Sequence, residues 1–171
     1  MKKYSKLLAT LCFAALVVLA SCGGGGDDTP DTSVGEAQAN LLEGTWTVTE
    51  VSFDGISRID TWGTNFTLTI SGVAEGTDGI WGGNYATDGK NVSQEPDANT
   101  VWPGSGSWAF LSASSVQAVN RGPDDIVVSI SSATINSLIL TFTIADPTAT
   151  SARSAGVFDA QWRFEFSKPQ E

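Results

Sequence analysis

Two stretches near the end of the chain alternate between apolar residues and residues that are mostly polar. The first covers residues 137–145 and the second residues 157–167. A period of two places neighbouring side chains on opposite faces of the backbone, so both patterns predict half-buried β-strands rather than helices. The apolar face of the second stretch is mostly aromatic and includes Phe158, Trp162, Phe164 and Phe166.

The same period recurs through most of the chain after residue 41. Alternation begins after Gly44 and returns around Leu68. No window of ten or more residues in this region has a helical period. Short turns such as 122–125 and 132–136 separate the segments, and parallel neighbours would need long crossovers. The sequence therefore predicts about eight antiparallel strands. They include strands at 107–112, 116–121 and 125–131 and a weakly indicated one at 80–86.

Eight short antiparallel strands favour an all-β domain that closes into an up-and-down barrel. Closure removes the exposed strand edges that promote aggregation. A β-sandwich is the alternative architecture. An eight-stranded barrel is wide enough either to be filled by side chains or to hold one small ligand. The many aromatic residues of the predicted strands would fill such an interior if all of them point inward.

The first 21 residues have the features of an export signal. A basic start precedes an apolar run over residues 7–20, which is too short to cross a hydrocarbon core of roughly 30 Å. The run ends in Leu-Ala-Ser-Cys, which resembles the site at which bacterial lipoproteins are cleaved and lipidated. The sequence therefore predicts that Cys22 is the lipidated N-terminus. Ordinary cleavage after Ala20 is the alternative.

Residues 22–40 are rich in glycine and aspartate, and this composition predicts a flexible tether. The predicted organisation is a signal peptide at 1–21, the tether at 22–40 and the barrel at 41–171. A glycine-rich start followed by acids resembles surface lipoproteins of the Bacteroidetes. The resemblance implies an outer-membrane lipid anchor on the periplasmic or the cell-surface face, and it favours the surface.

Charge and composition exclude several classes of function. Removing residues 1–21 removes three of the nine basic residues and none of the nineteen acids, so the mature chain has a net charge of about −13. Such a surface repels nucleic acid and anionic lipid headgroups. The chain has no histidine, and its cysteines are Cys12 and Cys22. Disulfides, thiol nucleophiles and histidine or cysteine metal sites are therefore excluded from the folded domain.

Paired acids are the remaining candidates for catalysis. Asp124 and Asp125 share a turn, and Glu95 and Asp97 flank a proline. Neither pair lies in an apolar run that would raise a carboxyl pKa for acid–base chemistry. The acidic segments 78–88 and 95–97 also lack the spacing of a calcium loop, so we interpret them as solvated loops. We expect no enzyme activity, no metal and no cofactor.

The six tryptophans divide into two groups. Trp46, Trp108 and Trp162 lie in alternating strands and are predicted to be core residues. The other three lie in or beside loop-like segments, where large aromatic side chains can stack on sugar rings or line the mouth of a barrel. Alternatively, they plug the ends of the barrel. The candidate ligand-binding residues are therefore Trp62, Trp81, Tyr85 and Trp102.

Gly44-Thr45-Trp46 resembles the Gly-x-Trp start of the lipocalins and related calycins. The segment 101–110, Arg121 before its turn and the closing segment 156–158 are similar to Bacteroidetes lipoproteins described as lipocalin-like. The resemblance implies a barrel of unsettled activity and structural roles for Gly44, Trp46 and Arg121. It also implies a cation–π contact on Trp46, made by Arg121 or Arg163.

Together these features predict a lipid-anchored envelope lipoprotein with a non-catalytic binding or interaction barrel. A small apolar ligand is the leading candidate for what it binds. The first alternative is an accessory lipoprotein whose filled barrel binds an envelope protein. The second is capture of surface glycans through Trp62, Trp81 and Trp102. An interior cavity of roughly 300 Å³ or more would favour a small ligand over a protein partner.

Overall fold

Antiparallel β-strands make up most of the structure, a computed structural model that describes residues 33–95, 97–144 and 160–169. Every strand predicted from the alternation is present, with end positions shifted by a few residues. The end of the predicted strand at 137–145 and the start of the one at 157–167 lie outside the described residues. The strands are β1 Gly44–Phe53, β2 Ile56–Ser57, β3 Thr67–Glu75, β4 Trp81–Asp88, β5 Ser105–Ser112, β6 Ser115–Arg121, β7 Ile126–Ala133, β8 Ser137–Ile144 and β9 Ala160–Ser167.

The sheet closes on itself. Each long strand pairs antiparallel with the next long strand in sequence from β1 and β3 through to β9, and β9 then pairs with β1. The closing ladder runs from Thr47 opposite Ser167 to Phe53 opposite Trp162. The short β2 folds back on the end of β1 as an extra strand. The prediction of an eight-stranded up-and-down barrel is confirmed, and the sandwich alternative is wrong.

A helix, α1 (Val34–Leu42), precedes the first strand. The tether was predicted to extend to residue 40, so this part of the prediction is wrong. The side chain of Ser33 accepts a hydrogen bond from the Glu36 backbone N–H and thereby caps the first turn. Gly35, Ala39 and Leu42 lie on one face and are buried. Helix α1 therefore belongs to the folded domain.

Two further helices, α2 (Ile59–Trp62) and α3 (Ala98–Val101), each form a single turn. Both lie at the end of the barrel where β1 stops and β6 meets β7, which we call the loop end. Helix α1 contacts β3, β4, β6 and β7 at the opposite end. We call this opposite end, where β1 starts and β9 stops, the α1 end. The two ends of the barrel are thus closed by different elements.

Aromatic side chains fill much of the interior. The rings of Phe142 and Phe164 stack with centroids 5.6 Å apart and an interplanar angle of 4°, and Phe166 continues the row 6.1 Å beyond Phe164. Side chains from the loops also enter the interior. The largest fully buried apolar side chains are Trp46, Trp62, Phe66, Phe164, Phe166, Leu68, Leu138 and Val51.

Candidate functional site

A small cavity in the barrel interior is the candidate site. Its volume is about 40 Å³, and atoms of apolar character form its wall. A cavity that holds benzene has a volume of about 150 Å³, so this space admits at most a guest much smaller than benzene while the barrel is closed. All of its lining residues are buried, and they are Leu42, Leu68, Ile70, Tyr85, Trp102, Trp108, Val119, Arg121, Val128, Ile130 and Leu140.

Arg121 lies at the loop end of β6 and is only 2% exposed. Its Nε and Nη2 donate to the two carboxylate oxygens of Asp124 at 3.0 and 2.6 Å. Its Nη1 donates to the Val101 carbonyl at 3.0 Å. The guanidinium also lies 5.2 Å from the Trp102 ring centroid and 4.9 Å from that of Phe142. Its charge and its donors are therefore engaged, and Arg121 links the turn after β6 to the loop that carries Trp102.

The cation on Trp46 is not the predicted one. Arg121 is at the loop end, whereas Trp46 follows the start of β1 at the α1 end, so the two cannot meet. Arg163 lies on the outer face of β9 and pairs with Glu165. Instead, Lys168 Nζ lies 4.5 Å from the Trp46 ring centroid. The predicted type of contact exists, but the predicted partner is wrong.

Gly44 and Trp46 form the junction between α1 and β1. Gly44 has a φ of 124°, which favours glycine because other residues are strained there. The Trp46 side chain is fully buried, and its indole Nε1 donates to the Leu42 carbonyl at 2.8 Å. The bond satisfies one of the carbonyl groups left open at the end of a helix. Both residues therefore have the structural roles that the Gly-x-Trp resemblance implied.

Trp62 and Trp102 plug the loop end. Trp62 is fully buried, and Trp102 is 3% exposed. Their ring centroids lie 5.0 and 5.1 Å from that of Phe164, both in edge-to-face orientation. Neither ring offers an exposed face on which a sugar could stack. The prediction of a surface stacking platform that includes Trp62 and Trp102 is therefore wrong, and the alternative of plugs describes both residues.

The other two aromatic candidates lie apart from each other. Trp81 opens β4 at the α1 end, where its ring fits against Gly35 of α1. A Cβ on Gly35 would approach Trp81 Cδ1 to 2.9 Å. Tyr85 points into the barrel, and its ring meets that of Trp102 edge to face at 6.4 Å. The structure thus brings Tyr85 and Trp102 together but does not join all four aromatic candidates into one site.

The Tyr85 hydroxyl has no hydrogen-bond partner among the described residues. Burial raises the pKa of this phenol, the Arg121 cation partly offsets the rise, and Asp124 adds to it. The indole N–H groups of Trp102 and Trp108 are likewise buried without a partner in the described part of the chain. The Tyr85 hydroxyl and the two indole N–H groups do not reach the cavity surface, so the cavity offers apolar contacts to a guest.

The acidic loops differ from the predicted solvated segments. Glu95 is 6% exposed, and its carboxylate accepts two hydrogen bonds from Arg58 Nη2, at 3.1 and 2.8 Å, and one from the Thr61 hydroxyl. The prediction that this loop is solvated is therefore wrong for Glu95. Asp124 is held by Arg121, as described above. Within the described ranges, no group of three or more acidic or cysteine side chains could hold a metal ion.

Some residues at the site had no role in the sequence analysis. Lys90 Nζ donates to the Trp102 carbonyl, and burial together with the Arg121 cation lowers the pKa of this lysine. Arg58 links α2 to Glu95 in the loop before α3. A lysine or an arginine in a polar loop carries no sequence signal for such a contact.

Cys22, the predicted signal at 1–21 and the predicted tether up to residue 32 lie outside the described residues, as does the segment 156–158 that entered the resemblance. Among the residues that are described, no helix has both the length and the apolar character needed to cross a membrane.

The fold and its interior define a class: a closed eight-stranded antiparallel β-barrel with a largely filled core and a helix across one end. A comparison with protein-family models finds no match to the chain, and a comparison with curated proteins finds none either.

Proposed function

We propose that the chain is an exported lipoprotein, anchored through Cys22, whose barrel is a non-catalytic interaction domain. The observation that carries the interaction role is the filled interior. A cavity of about 40 Å³ is far below the roughly 300 Å³ typical of ligand pockets. With little room inside, the contacts of the domain are made by its outer surface. The favoured function is that of an accessory lipoprotein that binds an envelope protein.

The anchor is supported by the residues before the domain. The short apolar run and the Leu-Ala-Ser-Cys sequence place Cys22 where lipid attachment occurs in bacterial lipoproteins. Two or three acyl chains would hold the protein stably at the outer membrane. The glycine- and aspartate-rich segment after Cys22 would keep the domain clear of the headgroups, and we favour the cell-surface face over the periplasmic face.

The non-catalytic role is supported by how the acids are used. Glu95 and Asp124, one from each acidic pair of the sequence, are held in ion pairs with Arg58 and Arg121. A carboxylate held in this way is poorly suited to exchange protons with a substrate. Neither acid lines the cavity.

A protein partner is supported by apolar side chains that stand exposed on the barrel ends. Ile56 is 68% exposed at the loop end, and Val34 and Ile135 are 73% and 71% exposed at the α1 end. The buried centre of a contact between proteins is more apolar than the rest of the surface, so side chains of this kind suit such a contact. Glycan capture is not proposed, because Trp62 and Trp102 are buried.

A small apolar ligand in the barrel is the second candidate function. The observation that favours it is the apolar wall of the cavity, to which Leu42 of α1 contributes. In this case the closed barrel must open before the ligand can enter.

The anchor is tested by membrane fractionation of cells that produce the Cys22→Ala variant. We expect this variant to leave the membrane fraction, whereas Cys12→Ala, which changes the other cysteine, remains there. Continued sedimentation of Cys22→Ala with membranes would refute the anchor.

The interaction role is tested by titrating the tryptophan fluorescence of the full-length Cys22→Ala chain with fatty acids, neutral dyes and oligosaccharides. We expect no saturable change from any of them. Saturation by an apolar compound would replace the accessory role with the second candidate function, and saturation by a sugar would contradict both.

A further inference from the structure

The loop end of the barrel is held shut by many specific contacts. The side chains of Trp62 and Trp102 fill this end, and charged side chains bind the loops that carry the two tryptophans. Arg58 is paired with Glu95, and Arg121 donates to the Val101 carbonyl. The backbone beside Trp102 is also held by Lys90. Opening this end would break the Arg58–Glu95 ion pair and the aromatic contacts of Trp62 and Trp102 at the same time, so we regard it as fixed.

The α1 end is closed by much weaker means. The face of α1 that is buried consists of Gly35, Ala39 and Leu42, so two of its three residues bury little apolar surface. Two hydrogen bonds hold its C-terminal end, one from Trp46 Nε1 to the Leu42 carbonyl and one from Lys168 Nζ to the carbonyl of Glu43, which follows the helix. A nine-residue helix is not stable alone in water, and it therefore forms only while docked. Because α1 takes part in no strand pairing, it can detach without breaking the barrel.

Movement of α1 would also change the cavity. Leu42, the last residue of the helix, forms part of the cavity wall, and Trp81 lies beneath Gly35. Gly44 lies two residues after Leu42 and has a positive φ. It provides a pivot between the helix and β1. Displacing α1 about this pivot would open the cavity to the outside at the α1 end.

We infer that α1 is a lid and that the α1 end is the entrance to an interior binding site for a small, neutral, apolar molecule. The apolar wall determines the class of ligand. Arg121, the one cation among the residues that line the cavity, is neutralised by Asp124 and is therefore not available to bind a carboxylate. The inference rests on the second candidate function above and does not require the lipid anchor.

The first test compares two buried alanines in the two ends of the barrel. Ala39 in α1 and Ala98 in α3 are both fully buried. In a full-length chain with Cys12→Ala and Cys22→Ala, the variants Ala39→Cys and Ala98→Cys each carry a single thiol. We expect a thiol reagent to label Ala39→Cys at least about tenfold faster under native conditions, since local opening exposes it. Equal labelling rates at equal unfolding free energies would refute the lid.

The second test concerns the ligand and uses the neutral dye N-phenyl-1-naphthylamine. Gly35→Leu forces a side chain against Trp81 and displaces the lid, whereas Val34→Leu changes a residue that is 73% exposed on the same helix. We expect the parent chain, whose lid is closed, and Val34→Leu to give no saturable change with the dye, whereas Gly35→Leu, in the Cys22→Ala chain, binds the dye with a saturable rise in its fluorescence. Far-ultraviolet circular dichroism checks that the barrel is folded. Fast labelling of Ala39→Cys without dye binding in a folded Gly35→Leu variant would refute the ligand site and leave the lid and the accessory role intact.

Discussion

Lys168 Nζ lies 4.5 Å from the centroid of the Trp46 ring and also donates to the Glu43 carbonyl at 2.7 Å. One side chain that follows β9 therefore contacts both the start of β1 and the residue that follows α1. The contact joins the three elements that meet at the α1 end. It provides the cation–π interaction that the sequence resemblance had assigned to an arginine.

Replacing Lys168 with methionine removes the charge and keeps most of the length of the side chain. Lys168 is partly exposed, so we expect a loss of only about 0.5–1 kcal/mol in the free energy of unfolding. Urea denaturation measures the change, and Lys168→Arg, which retains a cation, is the matched control. A methionine variant as stable as the parent would show that the cation–π contact contributes nothing.

Trp46→Ala is expected to destabilise the fold by about 3–5 kcal/mol, because a fully buried aromatic side chain leaves a large cavity. Trp46→Phe keeps a ring but loses the bond to the Leu42 carbonyl, and we expect it to lose less than Trp46→Ala. Thermal unfolding measures both variants, with the half-exposed Val127→Ala as a control. An unchanged melting temperature for Trp46→Ala would mean that β1 is placed in the wrong register.

Arg121→Met leaves the Val101 carbonyl without its donor and Asp124 without its partner. Removing one member of a buried ion pair typically costs about 3–5 kcal/mol, and we expect the lower end of this range because Asp124 reaches solvent. The double variant Arg121→Met with Asp124→Asn should recover part of the loss. A double-mutant cycle based on urea unfolding measures the coupling, and additive losses would show that the two side chains act independently.

Tyr85 is the one tyrosine after residue 4, so ultraviolet titration of a chain that lacks residues 1–21 reports on this residue alone. Burial raises its pKa above the usual value of about 10. The unfolded chain therefore releases the phenol proton at a lower pH than the folded chain. The contribution of Tyr85 to stability is complete below pH 10 and is lost as the pH rises toward the folded-state pKa.

Tyr85→Phe tests this dependence. Between pH 8 and pH 11, the parent should lose more unfolding free energy than the phenylalanine variant. At neutral pH the variant should be at least as stable as the parent, because it lacks the buried hydroxyl without a partner. Identical pH profiles for the two proteins would contradict the raised pKa.

Most of the barrel could be predicted from the sequence because period-two alternation reflects the two faces of a strand directly. Closure followed from the number of strands and from the short turns. Helix α1 was missed because glycine and alanine occupy two of its three buried positions. The segment therefore has few large apolar residues, and its composition is similar to that of a linker. The Ser33-x-x-Glu36 spacing, which is typical of a helix start, was the signal that could have identified it.

The interior site was less predictable than the strands. Trp62 and Trp102 follow or belong to single-turn helices that have no periodicity, and tertiary packing turns both rings inward. The partner of Trp46 depends on which end of the barrel each strand terminus reaches. This geometry places Lys168 beside Trp46 and Arg121 at the far end, and no local sequence pattern records it.

Pairing of β1 with β9 joins residues as distant in sequence as Thr47 and Ser167. Contacts of this separation form late in folding, because a long loop must close before they contribute. During synthesis, β1 therefore keeps an open edge until the final strand has emerged. An open edge can pair with other chains. The order of synthesis thus makes the last strand of the barrel, β9, decisive for whether the chain folds or aggregates.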